Sequence, residues 1–313
     1  MIGIADIRAA AARIAPFVRR TPVIDVTAVA EPVTAAKLTL KLENLQVTGS
    51  FKARGATNKL LSLPREALSQ GIVTASGGNH GLAVARAARQ AGVPATVFVT
   101  ESTTPEKLAK LKRWGAAVEI AGKIWNEANE KALETARRTG AAYFHPFADP
   151  LVVAGQGTAA VEFLEDRPDL DMMLVAIGGG GLISGMSVAL KALKPSIRII
   201  GIEPEGSPTL RASLDAGRVM RLDQVTSEVA TMSCAETDER VFDIVRKNVE
   251  DIVLVSDDAM REAARWLWFE LGIAADLSGA AAIAALRSRV VSVEEGVGLG
   301  ALVCGAGADV ISG

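Results

Sequence analysis

The sequence predicts an α/β protein with two open parallel-sheet domains. Three observations carry this reading. Short β-branched runs at 38–42, 72–75, 95–100, 117–120, 174–177, 197–202, 252–255 and 299–303 are separated by helical stretches of ten to twenty residues. Such alternation builds βαβ units, whose sheets are parallel and covered on both faces. Apolar residues make up 49% of the chain, enough to demand a buried core, and 313 residues at roughly 150 per domain give about two domains. Finally, glycine-rich loops follow three of the strand-like runs, as in open sheets that bind ligands at the carboxyl ends of their strands.

The N-terminal stretch MIGIADIRAAAARIAPFVRR reads as an amphipathic helix. Asp6, Arg8 and Arg13 interrupt the apolar run that a signal peptide needs, so a cytoplasmic protein is expected. Turn residues cluster at Val47–Ser50 and Pro146–Pro150. Taken as seams, they set a small domain, 48–148, into a large cofactor-binding domain of 1–47 and 149–313, with the ligand in the cleft. Within the small domain, Thr104 is placed to cap a helix, Pro105 to open it, Leu108, Leu111 and Trp114 to form its buried stripe, and Gly115 to end it. Lys107, Lys110, Lys112 and Arg113 then form a solvated face. Met172–Leu190 carries no charge for nineteen residues, but four consecutive glycines break it into strand, loop and helix. No membrane partner is expected. Trp266, Trp268 and Phe269 share a helix, as core or subunit interface.

Lys and Arg total 34 against 36 Asp and Glu, a net charge of -2, which leaves no basic footprint for nucleic acid. The two cysteines, Cys234 and Cys304, form no CxxC, which fits a reducing compartment and excludes a zinc ribbon. With only His80 and His145, a three-histidine metal site is impossible.

Strand, glycine turn and helix together present free N–H groups and the positive end of a helix dipole. Gly178, Gly179, Gly180 and Gly181 read as a phosphate cradle, because four glycines cost stability that a merely tight turn does not require. The Ser76–Asn79 turn suits a phosphate or a carboxylate. A rival reading takes Gly179, Gly181 and Gly185 as a variant dinucleotide fingerprint with Glu203 on a ribose, giving a nicotinamide-dependent dehydrogenase; GxGxxG itself is absent. A non-catalytic phosphate-ligand sensor is the other rival class. Lys52 stands at a loop-to-helix junction between Phe51 and Ala53. A lysine there is ordinarily solvated, but desolvation by these neighbours would lower its pKa toward the neutral amine that a Schiff base requires.

KLENLQVTGSFKARGA (41–56), SGGNH (76–80), AGQGT (154–158), GGGG (178–181) and CGAG (304–307) occur in this order. In them the chain resembles the fold type II pyridoxal-phosphate enzymes, also called tryptophan synthase beta-like, in the threonine/serine dehydratase and serine racemase branch. The match runs from Arg20-Thr-Pro22 almost to the C-terminus, and the chain resembles the short form that lacks a regulatory domain. The resemblance implies that Lys52 holds the cofactor, pyridoxal 5'-phosphate, as a Schiff base and that Phe51 packs beside its ring. Asn79 meets the ring hydroxyl, Gly178–Gly181 the phosphate, and Cys304 the pyridine nitrogen, where relatives commonly carry Ser. Ser76, a catalytic candidate beside Lys52, would bind the substrate carboxylate with Gly77, Asn79 and His80. His80 is otherwise a structural cap, His145 a seam residue and Cys234 a small buried filler.

The implied reaction is dehydration of a β-hydroxy-α-amino acid, L-threonine or L-serine, to a 2-oxo acid and ammonia, by a homodimer. Alternatives on the same scaffold are 3-hydroxyaspartate or phenylserine dehydration, or racemisation. Racemases of this branch place a second base after Ser76, where this chain has Gly77. Relatives with a divalent cation supply acids at Glu203 and six residues on, but that position is Thr209, so no metal ligand is assigned. The segment 230–238 departs from the usual Ala-Asp-Gly, the usual Glu-Pro-Ser-Gly reads Asp276-Leu-Ser-Gly279, and Gly307 replaces a frequent Asn.

Overall fold

The computed structural model describes residues 2–307. Its strands are β1 (Val23–Asp25), β2 (Lys37–Leu42), β3 (Ile72–Ala75), β4 (Ala95–Val99), β5 (Ala117–Ile120), β6 (Ala142–Tyr143), β7 (Met172–Ala176), β8 (Arg198–Pro204), β9 (Asp251–Val255) and β10 (Gly298–Val303). Its helices are α1 (Ile4–Ile14), α2 (Lys52–Ser62), α3 (Asn79–Ala91), α4 (Pro105–Arg113), α5 (Trp125–Thr139), α6 (Pro150–Asp166), α7 (Gly181–Leu193), α8 (Thr209–Ala216), α9 (Glu239–Asn248), α10 (Asp257–Leu271) and α11 (Leu277–Arg287). The β-branched runs read from the sequence are all strands. β1 and β6 were not anticipated, because two or three residues are too few to show a period.

One sheet has the order β1-β2-β10-β7-β8-β9 and the other β5-β4-β3-β6. Pairing is parallel throughout except for β1, which runs antiparallel to β2 at the edge. The chain therefore forms two parallel-sheet α/β units, with one mixed edge. In the larger sheet the strands advance from β7 through β9, then β10 returns to the other side of β7. In the smaller, β3 to β5 advance and β6 returns beside β3. Each reversal opens a crevice at the carboxyl ends of two neighbouring strands. Those ends carry Gly178–Gly181 and Cys304 in one sheet, and Ser76–His80 and Phe144–Phe147 in the other.

Local chemistry accounts for the helix boundaries. Thr104 Oγ1 accepts from Lys107 N and Pro105 opens α4, as expected, with Leu111 buried. Asp149 caps α6 ahead of Pro150 in the same manner. Glycine allows α2, α6 and α7 to approach closely. A Cβ on Gly155 would lie 2.6 Å from Gly55 Cα, and one on Gly185 would lie 2.2 Å from Val153 O. Gly185 is thus a helix-packing residue and not part of a nucleotide turn. On α10, Trp266 is buried and donates to Glu31 O at 2.8 Å. Phe269 is 79% exposed, so the core reading fails for it.

A buried charge cluster joins β2, the turn after it, α2 and α6. Arg54, with no exposed surface, donates to both Glu43 oxygens (2.8 and 2.7 Å) and to both Glu162 oxygens (2.7 and 2.8 Å). Lys41, equally buried, donates to Glu162 Oε2 and Thr21 O, each at 2.8 Å. Thr21 Oγ1 donates to Glu43 Oε1 at 2.6 Å. Two cations against two carboxylates balance, and breaking such a set from one side strands charge in low dielectric. Arg54→Ala is expected to lower the unfolding free energy by about 3–5 kcal/mol. Lys131→Ala, at a surface pair with Glu134, should leave the urea midpoint near wild type; circular dichroism across a urea series checks both.

Candidate active site

The loop from β6 to α6 ties three helix starts to one place. Phe144 O accepts from Thr74 Oγ1 at 2.7 Å and from the His80 ring at 3.1 Å, which holds the first turn of α3. Pro146 O accepts from Lys52 Nζ at 2.9 Å, at the first residue of α2. The Phe147 ring lies under the glycine loop that opens α7. His145 Nδ1 accepts from the N–H groups of Phe147 and Ala148, fixing the loop. Burial holds the His145 imidazole down at about 4, so it stays neutral.

Lys52 differs from the other lysines held inside the fold. Lys41 reaches Glu162 and Lys59 reaches Asp149, whereas Lys52 has no ion pair among the described residues and bonds to a carbonyl. Desolvation pushes its amine down to about 8. Its Nζ lies 5.1 Å from the Phe51 ring centroid, and Phe51 N donates to Cys304 O at 3.2 Å, bringing the end of β10 against the start of α2.

The glycine run is explained by packing more fully than its sequence suggests. A Cβ on Gly178 would lie 3.0 Å from Thr231 O, one on Gly179 2.2 Å from the Phe147 ring, and one on Gly181 2.7 Å from Phe147 O. Gly180 has φ +90°, a conformation that favours glycine, and its Cβ would lie 2.5 Å from Val241. Packing therefore disfavours a side chain at each of the four, most strongly at Gly179, Gly180 and Gly181, and their number is not itself a sign of phosphate. The sign that remains is the N–H groups of Gly178–Gly181, which donate to no protein acceptor among the described residues. They lie at the N-terminus of a thirteen-residue helix.

Across the crevice, Ser76 Oγ accepts from Gly78 N at 3.3 Å, and the N–H groups of Gly77, Asn79 and His80 likewise donate to no protein acceptor among the described residues. His80 is buried, and with Nε2 committed to Phe144 O its Nδ1 finds no partner among the described residues. Desolvation and the nearby Lys52 hold it well below its ordinary pKa. Asn79 Nδ2 donates to Asp276 Oδ2 at 3.1 Å. Cys304 Sγ lies 3.5 Å from Ser278 Oγ, and burial together with Asp276 pushes the thiol up to about 12, so it is neutral. The structure thus gathers Phe51, Lys52, Asn79, His80, Gly178–Gly181 and Cys304 around the two crevices.

Glu203 is instead a buried cap. Its oxygens accept from Leu210 N (2.8 Å) and Arg211 N (2.9 Å) at the start of α8, which leaves it unsuited to a ribose; burial pushes its carboxyl up to about 7. Cys234 is not the buried filler expected. It is half-buried, and Lys52 and Cys234 affect each other's ionisation. Pro146, Phe147, Asp276 and Ser278 were missed as site residues. A carbonyl leaves no mark in a sequence, and Asp276 showed only as a departure from a motif.

The chain matches the family described as "Pyridoxal-phosphate dependent enzyme" over residues 14–305. It is 39% identical over 290 residues to the L-threonine ammonia-lyase of Thermotoga maritima, a span of 93% of this chain and 72% of that protein. It is 36% identical over 302 residues to the phenylserine dehydratase of Ralstonia pickettii, covering 95% and 91% respectively. Maize serine racemase superimposes with a TM-score of 0.93 at 35% identity, over 97% of this chain and 93% of that one. The site is suited to such a cofactor, since it offers a half-buried, desolvated amine with no ion pair among the described residues and, beside it, main-chain donors that meet no acceptor among them. A match along almost the whole length, matched in turn by the superposition, makes this chain a member of the pyridoxal-phosphate dependent enzymes of fold type II.

Proposed function

We propose that the protein dehydrates a β-hydroxy-α-amino acid, L-threonine or L-serine, releasing a 2-oxo acid and ammonia. The observation that carries this is the half-buried, desolvated Lys52 amine, with no ion pair among the described residues, at the meeting of three helix starts. Pyridoxal phosphate, when bound, supplies an electron sink conjugated to the substrate α-carbon. Lys52 would hold the cofactor and, once freed as a neutral amine, take the α-proton at Nζ, with Pro146 O fixing its direction. Gly178–Gly181 would hold the phosphate through main-chain N–H groups, Phe51 would pack beside the ring, and Asn79 would meet its hydroxyl. The neutral Cys304 thiol would face the ring nitrogen; it cannot stabilise a protonated ring as a carboxylate does, which favours elimination over transamination. Ser76 and the N–H groups of Gly77–His80 would take the substrate carboxylate. The water lost in elimination is regained on hydrolysis, so the balance is amino acid to 2-oxo acid plus ammonia.

A second reading, a larger β-substituent such as that of phenylserine, is favoured by the Ralstonia relative and by Cys234 near Lys52 in the departing 230–238 segment. A panel of L-threonine, L-serine, phenylserine and 3-hydroxyaspartate, assayed for 2-oxo acid and ammonia, separates the readings. We further read 48–148 as a small domain, since β3–β6 form their own sheet, and the protein as a cytoplasmic homodimer. Two free cysteines support the compartment and the exposed Trp268 and Phe269 the dimer.

Lys52→Ala should reduce ammonia release by at least about 10²–10⁴-fold and abolish the visible band that pyridoxal phosphate acquires on binding. With both proteins in the apo-form, its melting temperature should not fall, because a desolvated amine is removed. Retained turnover would refute the assignment. Because Lys52 titrates below a free lysine, at about 8, the neutral amine fails as pH drops through that value. The rate at which apo-protein takes up pyridoxal phosphate, followed by stopped-flow absorbance, should rise between pH 7 and 9 and level off before 10.5. A Cβ at Gly77 would lie 2.7 Å from Thr103 Oγ1 and 2.9 Å from its Cγ2. Gly77→Ser should therefore yield D-serine from L-serine only when combined with Thr103→Ala, as chiral chromatography would show.

A further inference from the structure

We propose that Asp276 is a positioning residue for the cofactor ring, holding Asn79 with one oxygen and, through Ser278, the Cys304 thiol with the other. This rests on the reading of the Lys52 site as a pyridoxal-phosphate site. Asp276 is 7% exposed, immediately before α11. Its Oδ2 accepts from Asn79 Nδ2 at 3.1 Å, and its Oδ1 accepts from Ser278 Oγ and Gly279 N, each at 2.7 Å. Both Asp276 oxygens accept in these contacts, which sets the directions along this path. Asn79 must turn its Nδ2 toward Asp276, which fixes the amide against flipping. Ser278 spends its single proton on Asp276, and so accepts from the Cys304 thiol at 3.5 Å. The two side chains assigned to opposite polar edges of the ring are thereby braced by one residue.

The surrounding backbone is cut to fit this carboxylate. A Cβ on Gly305 would lie 2.4 Å from Asp276 Oδ2, and one on Gly307 would lie 2.8 Å from Asp276 Cα. Asp276 N donates to Gly305 O at 3.0 Å. The shortened acid and Gly307, two separate departures from the family pattern, are thus in contact. Helix capping alone would use the bond to Gly279 N and leave the Asn79 and Ser278 bonds without a role.

The test is pyridoxal-phosphate titration of apo-protein, followed by absorbance and fluorescence, for wild type, Asp276→Asn and Ser278→Ala. Asparagine is as good a helix cap as aspartate, so α11 should persist, but its amide would set two donors against each other at Asn79. The expected result for Asp276→Asn is a displaced absorption maximum of the bound cofactor and about tenfold weaker affinity, with a melting temperature close to wild type. Ser278→Ala, which leaves the cap and Asn79 in place, should displace the maximum with affinity unchanged, and carries the test if Asp276→Asn does not fold. Wild-type maxima in both variants would overturn the inference while leaving the Lys52 reading intact. No visible band in the wild-type protein would overturn both.

Discussion

Lys52 and Arg54 share the first turn of α2 and are treated in opposite ways, and the site depends on that contrast. Arg54 is fully buried between two carboxylates drawn from β2's end and from α6, so it clamps the start of α2 to both. Lys52 is carried to its place by this clamp and given no counter-ion of its own among the described residues. An ammonium in that position is penalised by desolvation, and the neutral amine is correspondingly favoured. Stability held at one residue thus supports reactivity two residues away.

The topology places everything else at the same spot. Both sheets reverse their strand order, and each reversal lies beside a helix start whose N–H donors meet no acceptor among the described residues. The β6–α6 loop closes the arrangement, because the carbonyls of Phe144 and Pro146 and the ring of Phe147 reach α3, α2 and α7 in turn. Neutrality is a common property of the groups there: burial keeps His80, His145 and Cys304 uncharged. Such a setting suits chemistry in which the cofactor carries the charge and the protein directs it.

Much of the fold was legible because β-branched runs report strands through composition, and the cap at Thr104 follows from its local chemistry. β1 and β6 were not, since their formation depends on partners rather than on pattern. Lys52 was legible only through its neighbours, a lysine alone being uninformative. The glycine loop was recognised on a mistaken premise: its four residues answer to Phe147, Thr231 and Val241, contacts that only the assembled fold displays. Lys41, Glu43 and Arg54 stood within the recognised motifs, yet their joint function as a charge cluster with Glu162 required knowing that α2 and α6 cross. Asp276 was visible as an oddity whose partners lie far away in sequence, at Asn79 and Gly305.

The central claim is that one particular amine carries the cofactor. Borohydride reduction of the pyridoxal-phosphate-loaded protein, followed by proteolysis and mass spectrometry, locates that amine directly. The account predicts a reduced pyridoxyl group on the peptide containing Lys52 and on no other. Its attachment to Lys41, Lys59 or a surface lysine, or the absence of any modified peptide, would contradict the account.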